Sequence, residues 1–360
     1  MLTLPRNSKP KAMTHMPLNL DTLPTRRDEA WKWTDVRAAA KEQGGLKGLE
    51  VKGLGFFNLP VGLTLRIDQS VSVGQGMNDL AKQHNSQRYT IDVPDGFSSD
   101  QAIQISEIKL GHVLVKIRLG KGANVNLVES FEGEENGFSN YDINIDLKEG
   151  ATLNRVIVHN DPNSHVRVAT THITAWQSAK ISQYALSFGG DLSRLETRVA
   201  VMGKEVEAVL NGAYLLNDKR HCDMTSYIDL AVPDCTIRQA VKGVVTDKAR
   251  GVFQGKFHVR RPAQHTDAEM RHDALMLSDT SEIRSKPELE IYADDVACAH
   301  GNTIGQLDES ALFYMRQRGI PVSEARALLT EAFVADVFDD MSDEELKESL
   351  LGKIREWLGA

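Results

Sequence analysis

Gly122-Ala-Asn-Val-Asn-Leu127 returns as Gly150-Ala-Thr-Leu-Asn-Arg155 and, more loosely, as Ser178-Ala-Lys-Ile-Ser-Gln183, at 28-residue intervals. A turn of small residues followed by an alternating strand, recurring at one fixed period, is the mark of a solenoid. The surroundings agree. Arg88 to Val93, His112 to Arg118 and Tyr141 to Leu147 alternate apolar and polar residues with period two, as half-buried strands do. Strand follows strand to about Val296, with turn residues at Pro233-Asp234, Asp247 to Gly251 and Ser278-Asp279. The expected class is mainly β: a parallel β-helix, right-handed because parallel crossovers default to that hand. Val125, Leu127, Leu153 and Val156 are expected to form an inward ladder from coil to coil.

The pattern changes at both ends. The first ~20 residues carry Pro5, Pro10 and Pro17 without periodicity and read as a flexible lead-in. Thr25 is placed to cap a short helix with Asp28 and Glu29 in its first turn. Trp31 and Trp33 read first as packing anchors and second as a recognition surface. After Gly305 the period becomes helical. Asp308 caps a helix carrying Leu312, Phe313 and Met315, stopped by Gly319 and Pro321. A second helix starts near Ser323, and a capping box at Ser342 to Glu345 opens a third. The expected division is an N-terminal helical region with its lead-in over 1–75, a β-helix core over 76–300, and a C-terminal helical region over 301–360.

Composition excludes several classes. The chain has 360 residues and a formal net charge of −8, which argues against a nucleic-acid binder. The mildly basic run Lys256 to Arg261, with Arg271, reads as a solvated face, since Phe257 alone makes a poor stacking platform. Three cysteines make no disulfide framework and suit a reducing compartment. No run of about 18 apolar residues offers a membrane span, and Met1 to Lys11 has no hydrophobic signal segment. Early Asp21, Asp28 and Glu29 disfavour a transit peptide, so the expected location is the cytoplasm.

Catalytic motifs are missing. Gly251 to Lys256 resembles the tail of a phosphate-binding loop, but Phe257 stands where a Ser or Thr would reach magnesium. There is no G-x-S-x-G elbow and no C-x-x-C pair. What remains is Cys298 with His300, a soft thiol and an imidazole two residues apart, which share a face if a strand runs through them. Two donors are too few for a complete metal or cluster site, so the missing ones would come from a partner. His221 and Cys222 are adjacent and would point opposite ways in a strand. Cys222 and Cys235 read as small buried hydrophobes. The seven-residue recurrence of His258, His265 and His272 alternates faces and reads as coincidence. From Glu324 to Glu348 there are nine acidic residues and two basic ones. That stretch is either a solvated face or, with Phe333, Val337 and Phe338, an acidic docking knob.

Lys286-Pro-Glu-Leu-Glu-Ile-Tyr-Ala-Asp-Asp-Val-Ala-Cys-Ala-His-Gly301, Gly305-Gln-Leu-Asp308 and Leu312 to Ile320 closely resemble the C-terminal signature of the SufB/SufD family of iron–sulfur cluster assembly proteins. Ala263-Gln-His-Thr-Asp-Ala268 and Leu23 to Lys32 are similar to two further family segments. The form Asp295-Val-x-Cys-x-His-Gly301, with no cysteine in Arg271-His-Asp273, resembles the SufD branch. The resemblance implies a right-handed β-helix with helical ends and a non-catalytic scaffold subunit supporting iron acquisition. It implies pairing with a SufB-like subunit through the β-helix ends, and docking of a SufC-like ATPase on the C-terminal helices, where Phe313, Tyr314, Phe333, Val337 and Phe338 are the candidate surface. It also implies a transient iron–sulfur cluster shared with SufB, with His300 as the candidate ligand and Cys298 as the secondary one. Alone, the chain could form a homodimer through the same edge. Two alternatives remain beside this. One is a β-solenoid binding or regulatory module without a metal role. The other is a β-helix carbohydrate enzyme, which needs paired carboxylates on one face.

Overall fold

A computed structural model describes residues 23–42, 57–69, 77, 87–106 and 110–359. The expected lead-in lies outside them. In chain order the strands begin with β1 (Phe57–Asn58), β2 (Leu65–Gln69), β3 (Gln87–Val93), β4 (Ile103–Ser106), β5 (Gly111–Leu119) and β6 (Asn124–Phe131). They continue as β7 (Phe138–Leu147), β8 (Thr152–His159), β9 (Val166–Ala175), β10 (Lys180–Ser187), β11 (Leu192–Val201) and β12 (Glu207–Leu216). The last six are β13 (His221–Leu230), β14 (Thr236–Val245), β15 (Arg250–Val259), β16 (Asp267–Met276), β17 (Glu282–Ile291) and β18 (Ala297–Gly305). Sheet A follows β1-β4-β6-β8-β10-β12-β14-β16-β18, and sheet B follows β2-β3-β5-β7-β9-β11-β13-β15-β17. Among the described strands β1–β4 and β2–β3 pair antiparallel and the other ladders are parallel, with one isolated antiparallel bridge between Gly190 and His221. Each coil therefore gives one strand to each sheet, and the chain is the parallel β-solenoid that the repeat predicts.

Register shows why the repeat fades in the sequence. Lys180 pairs with Thr152 in the coil before it and with Glu207 in the coil after it, and the column continues through Thr236 to Asp267. Successive steps along this column are unequal, shortest from Lys180 to Glu207 and longest from Thr236 to Asp267. The coil drifts in length at its turns while the ladder stays continuous.

One column of turns holds the coils together. Gly122, Gly150, Ser178, Glu205, Asp234 and His265 all take positive φ. The amides of Gly122, Gly150 and Ser178 donate to the carbonyls of Glu149, Gln177 and Lys204 in the next coil. Glycine fills the left-handed position at no steric cost, and Ser, Glu, Asp and His substitute as the column advances. The following position is buried in each coil: Ala123, Ala151, Ala179, Val206, Cys235 and Thr266. Cys235 is thus a small packing residue in a stack of small residues.

The lumen is filled by inward rows including Val125, Leu127, Leu153, Ile181, Leu210 and Ile237. Val156 is not among them, which corrects the expected ladder. Side chains alternate across a strand, so Leu153, Arg155 and Ile157 share the lumen face and Val156 points outward. Outside, it joins a second core with Tyr184, Leu186 and Leu215. The inward row also carries charge. Arg155 is buried and ion-paired with Glu129, donates to Gln183 Oε1 at 2.8 Å, and Glu129 accepts from the Tyr141 hydroxyl at 2.6 Å. Such burial is tolerated because each partner is hydrogen-bonded.

Both flanks cover outer sheet faces. The helices α2 (Glu309–Gln317), α3 (Val322–Ala335) and α4 (Glu344–Leu358) follow the last coil. Val334, Val337, Phe338, Met341, Leu350 and Ile354 bury against sheet A. Asp343, not Ser342, caps α4, its Oδ1 accepting from the Leu346 amide at 3.0 Å. At the other end α1 (Val36–Glu42) and the segment before it form a strap on sheet B. No α-helix starts at Thr25. Asp28 Oδ2 accepts from the Thr25 amide at 2.7 Å, closing a turn, and only a single 3-10 turn, Glu29–Trp31, follows. Trp31 is buried as an anchor, with the Arg194 guanidinium 4.2 Å from its ring centroid. Arg194 and Thr34 both reach the buried Asp223 carboxylate, which pins the strap.

Candidate functional site

The solenoid ends on two edge strands. β18 closes the order of sheet A and β17 closes that of sheet B. β18 lies parallel to β16, with Cys298 opposite Ala268, His300 opposite Met270 and Asn302 opposite His272. Ala268, Met270 and His272 are buried on the lumen side. By alternation Cys298, His300 and Asn302 occupy that same side of β18, so the two donors do share one face. Among the described residues no further coil covers them. Cys298 is half-buried against the edge of the lumen core, and His300 is exposed.

Of the three residues beneath, Ala268 and Met270 belong to the apolar lumen core and His272 is the polar one. The His272 ring stacks on Phe253 with centroids 4.8 Å apart and planes 6° apart. Its Nε2 lies 3.0 Å from the Tyr214 hydroxyl and its Nδ1 lies 2.9 Å from Asn302 Oδ1. Those partners fit a neutral ring with its proton on Nδ1: Nδ1–H donates to Asn302 and Nε2 accepts from Tyr214. Burial pushes its pKa down to about 4, so it stays neutral at physiological pH. A Cβ on Gly243 or Gly251 would sit 2.2 or 2.5 Å from the Tyr214 ring, so both positions must be glycine for the ring to fit. No local pattern marks Tyr214 or Asn302 as site residues. They reach His272 only through register, from two coils before it and one coil after it. His258 lies instead on the outer face beside Asp229, and His265 sits in an exposed turn beside Asp295. The seven-residue spacing thus joins no common site.

Burial pushes the Cys298 thiol up, so it binds metal only by losing a proton it holds more firmly than a free thiol does. Among the described residues no three His, Cys, Asp or Glu side chains gather closely enough to hold a metal ion. The donor set is therefore soft and suited to iron or a cluster in kind, but short in number. Cys222 cannot supplement it. It is fully buried, its thiol is pushed up to about 12, and it donates to Ser187.

The model of the SufBD core domain of the SUF iron–sulfur cluster assembly system matches residues 103–333, well over half of the chain. The chain belongs to the SufBD family. It is 27% identical to the iron–sulfur cluster assembly protein SufD of Escherichia coli, over 96% of this chain and 92% of that protein. It is 32% identical to a SufBD family iron–sulfur cluster assembly protein of Synechocystis, over 61% of this chain and 48% of that one. The chloroplastic protein ABCI7 of Arabidopsis thaliana is 27% identical over 67% of this chain and 52% of its own length. Iron–sulfur cluster assembly by a SufBD-type β-solenoid is thus the function class.

The SufBD core match stops within α3, and the structure divides the second candidate surface on both sides of that limit. Phe313 and Tyr314 are 61% and 59% exposed on α2, with Val322 and Leu328 exposed on α3. Val337 and Phe338 are interior, and Phe333 packs beside them under the Lys242 ammonium. Reading all five as one exposed surface is therefore corrected. The apolar residues after Ala332 are spent on holding the helices to sheet A. The basic run is likewise absorbed. Lys256 pairs with Glu290, Arg260 with Asp229, and Phe257 is fully buried. No helix among the described residues is long and apolar enough to cross a membrane.

Proposed function

We propose that this SufBD chain is a non-catalytic scaffold subunit working with a SufB-like subunit and a SufC-like ATPase. In this reading nascent clusters form where its open solenoid end meets SufB, with His300 as a ligand. The observation that carries the reading is the end itself. β17 and β18 end their sheets with no strand beyond them among the described residues, and the one half-exposed thiol lies with an imidazole on the face they leave uncovered. Such an edge invites strand pairing with another chain. Ile291, Tyr292 and Ile304, at 40–56% exposure, give it apolar contact. A second copy of this chain would use the same edge when SufB is absent.

In this scheme the cluster is cargo. His300 offers an exposed imidazole nitrogen, and the half-buried Cys298 either joins as a second ligand or packs. ATP chemistry belongs to the SufC-like partner, docked on the exposed apolar residues of α2 and α3. The path for its motion runs from α3 through the Lys242–Asp336 ion pair, 2.9 Å, and the sheet-A strands to β16 and β18. The test is anaerobic reconstitution of the co-expressed three-subunit complex with His300→Ala, followed by iron and sulfide counts. The reading expects an assembled complex with much reduced cluster content. A normal rate of cluster formation in that complex would remove His300 from the role.

A further inference from the structure

A cleft of about 260 Å³ lies away from the open lumen face, where the strap meets the outer face of sheet B. It is lined by Arg26, Trp33, Arg250, Glu282 and Arg284. Arg250 pairs across the sheet with Glu282, and Arg284 lies two residues on along β17, so the three side chains share one outward face. All three arginines are held by their Nε atoms. Arg250 Nε donates to Glu282 Oε2 at 2.9 Å and Arg284 Nε to Glu282 Oε1 at 2.5 Å. Arg26 Nε donates to the Lys32 carbonyl at 3.2 Å. Each guanidinium is thus held at its Nε, and its terminal Nη groups make no hydrogen bond among the described residues.

We propose that this cleft binds a small phosphate monoester carrying a flat group. Three guanidiniums against one carboxylate leave a charge of +2, and a phosphate monoester carries about −1.5 to −2 at neutral pH. Planar forks match phosphate oxygens two at a time. Glu282 is a positioning residue that uses the Nε atoms and leaves the forks free. The half-buried Trp33 supplies a ring wall for the flat group, and the Lys32 ammonium 5.5 Å from that ring adds positive charge at the rim. Bound ligand would bridge the strap to β17, an edge strand of the open end. The Glu29–Lys286 ion pair at 2.6 Å already spans that junction. The inference stands apart from the cluster role, because none of these residues lies on the face of Cys298 and His300.

The experiment titrates the full chain with phenyl phosphate and with inorganic phosphate by calorimetry, in parallel with Arg26→Ala, Arg284→Ala and Trp33→Ala. Phenyl phosphate should bind about tenfold more tightly than inorganic phosphate. Each arginine variant should weaken both ligands about tenfold, and Trp33→Ala should erase the difference between them. Arg26 sits on the strap outside the sheets, so its variant tests the site even if Arg284→Ala perturbs the edge strand. Hydrogen exchange should slow at residues 23–34 and at the start of β17 together. Absence of phenyl phosphate binding at low millimolar concentration, or equal binding by the Arg26 and Arg284 variants, would overturn the assignment.

Discussion

Phe338→Ala should release the C-terminal helices from the solenoid while leaving the coils intact. Phe338 is fully buried, its ring centroid 6.4 Å from that of Tyr184 on β10, in a core shared by the helices and sheet A. Truncating a buried Phe to Ala costs about 3–5 kcal/mol, since transfer and cavity terms add. A polar latch sits beside it. Asn211 Nδ2 donates to the Val337 carbonyl and Asn211 Oδ1 accepts from the Ala240 amide, both at 3.0 Å. Asn211→Ala should therefore cost about 1–3 kcal/mol, from two bonds of roughly 0.5–1.5 each. The helices touch the coils mainly through this patch, so the loss should fall on local opening. About 4 kcal/mol corresponds to roughly a thousandfold faster amide exchange in α3 and α4, at about 1.4 kcal/mol per tenfold. Native-state hydrogen exchange with mass-spectrometric readout resolves this element by element. Acceleration spread evenly over β8 to β16, or less than tenfold in α3 and α4, would refute the division between exposed Phe313 and Tyr314 and structural Val337 and Phe338.

Acid should weaken the fold through its buried histidines. Burial lowers His159 to about 3 and His221 and His272 to about 4, against about 6.5 in an unfolded chain. The unfolded chain then takes up protons that the folded one refuses. Stability is full above about pH 6.5 and falls as pH drops toward 4, by up to about 1.4 kcal/mol per pH unit for each histidine. Urea midpoints measured from pH 7 to pH 5 should fall steadily, with a shallower slope in His272→Gln; a flat profile would count against neutral burial. Arg194→Met should free the strap. It leaves the buried Asp223 without its guanidinium and Trp31 without its cation, a loss of about 3–5 kcal/mol for a broken buried pair. Limited proteolysis should then cut between Thr25 and Glu42 while β9 to β13 stay protected, and resistance equal to the parent chain would contradict the pinning role.

The solenoid was legible because its signals are local. Gly122, Gly150 and Ser178 each open a coil with the same left-handed turn, and the alternation of each strand shows within the strand itself. Legibility failed where a residue's meaning depends on a neighbouring coil. Val156 has the composition of a lumen residue but sits on the other side of the pleat, and what covers it there comes from the helices beyond the last coil. Arg155 can be buried in the lumen because Glu129 and Gln183, from the coils before and after it, lie beside it. The caps differ for two local reasons: the neighbouring Asp343 takes the amide bond expected of Ser342, and Asp28, three residues after Thr25, accepts from the Thr25 amide and closes a turn there instead of a helix.

Sequence alone determined the parallel coil, the helical C-terminal unit, the pairing of Cys298 with His300 on one face and the family signature around them. These follow from turn chemistry and side-chain periodicity, which act over a few residues. Only the tertiary structure decided that no coil among the described residues caps that face, that His272 lies beneath it bonded to Tyr214 and Asn302, and that Val337 and Phe338 face inward. Those facts rest on stacking register and on which sheet face each flank covers. Both are set by contacts between residues far apart in the chain, which no local pattern records.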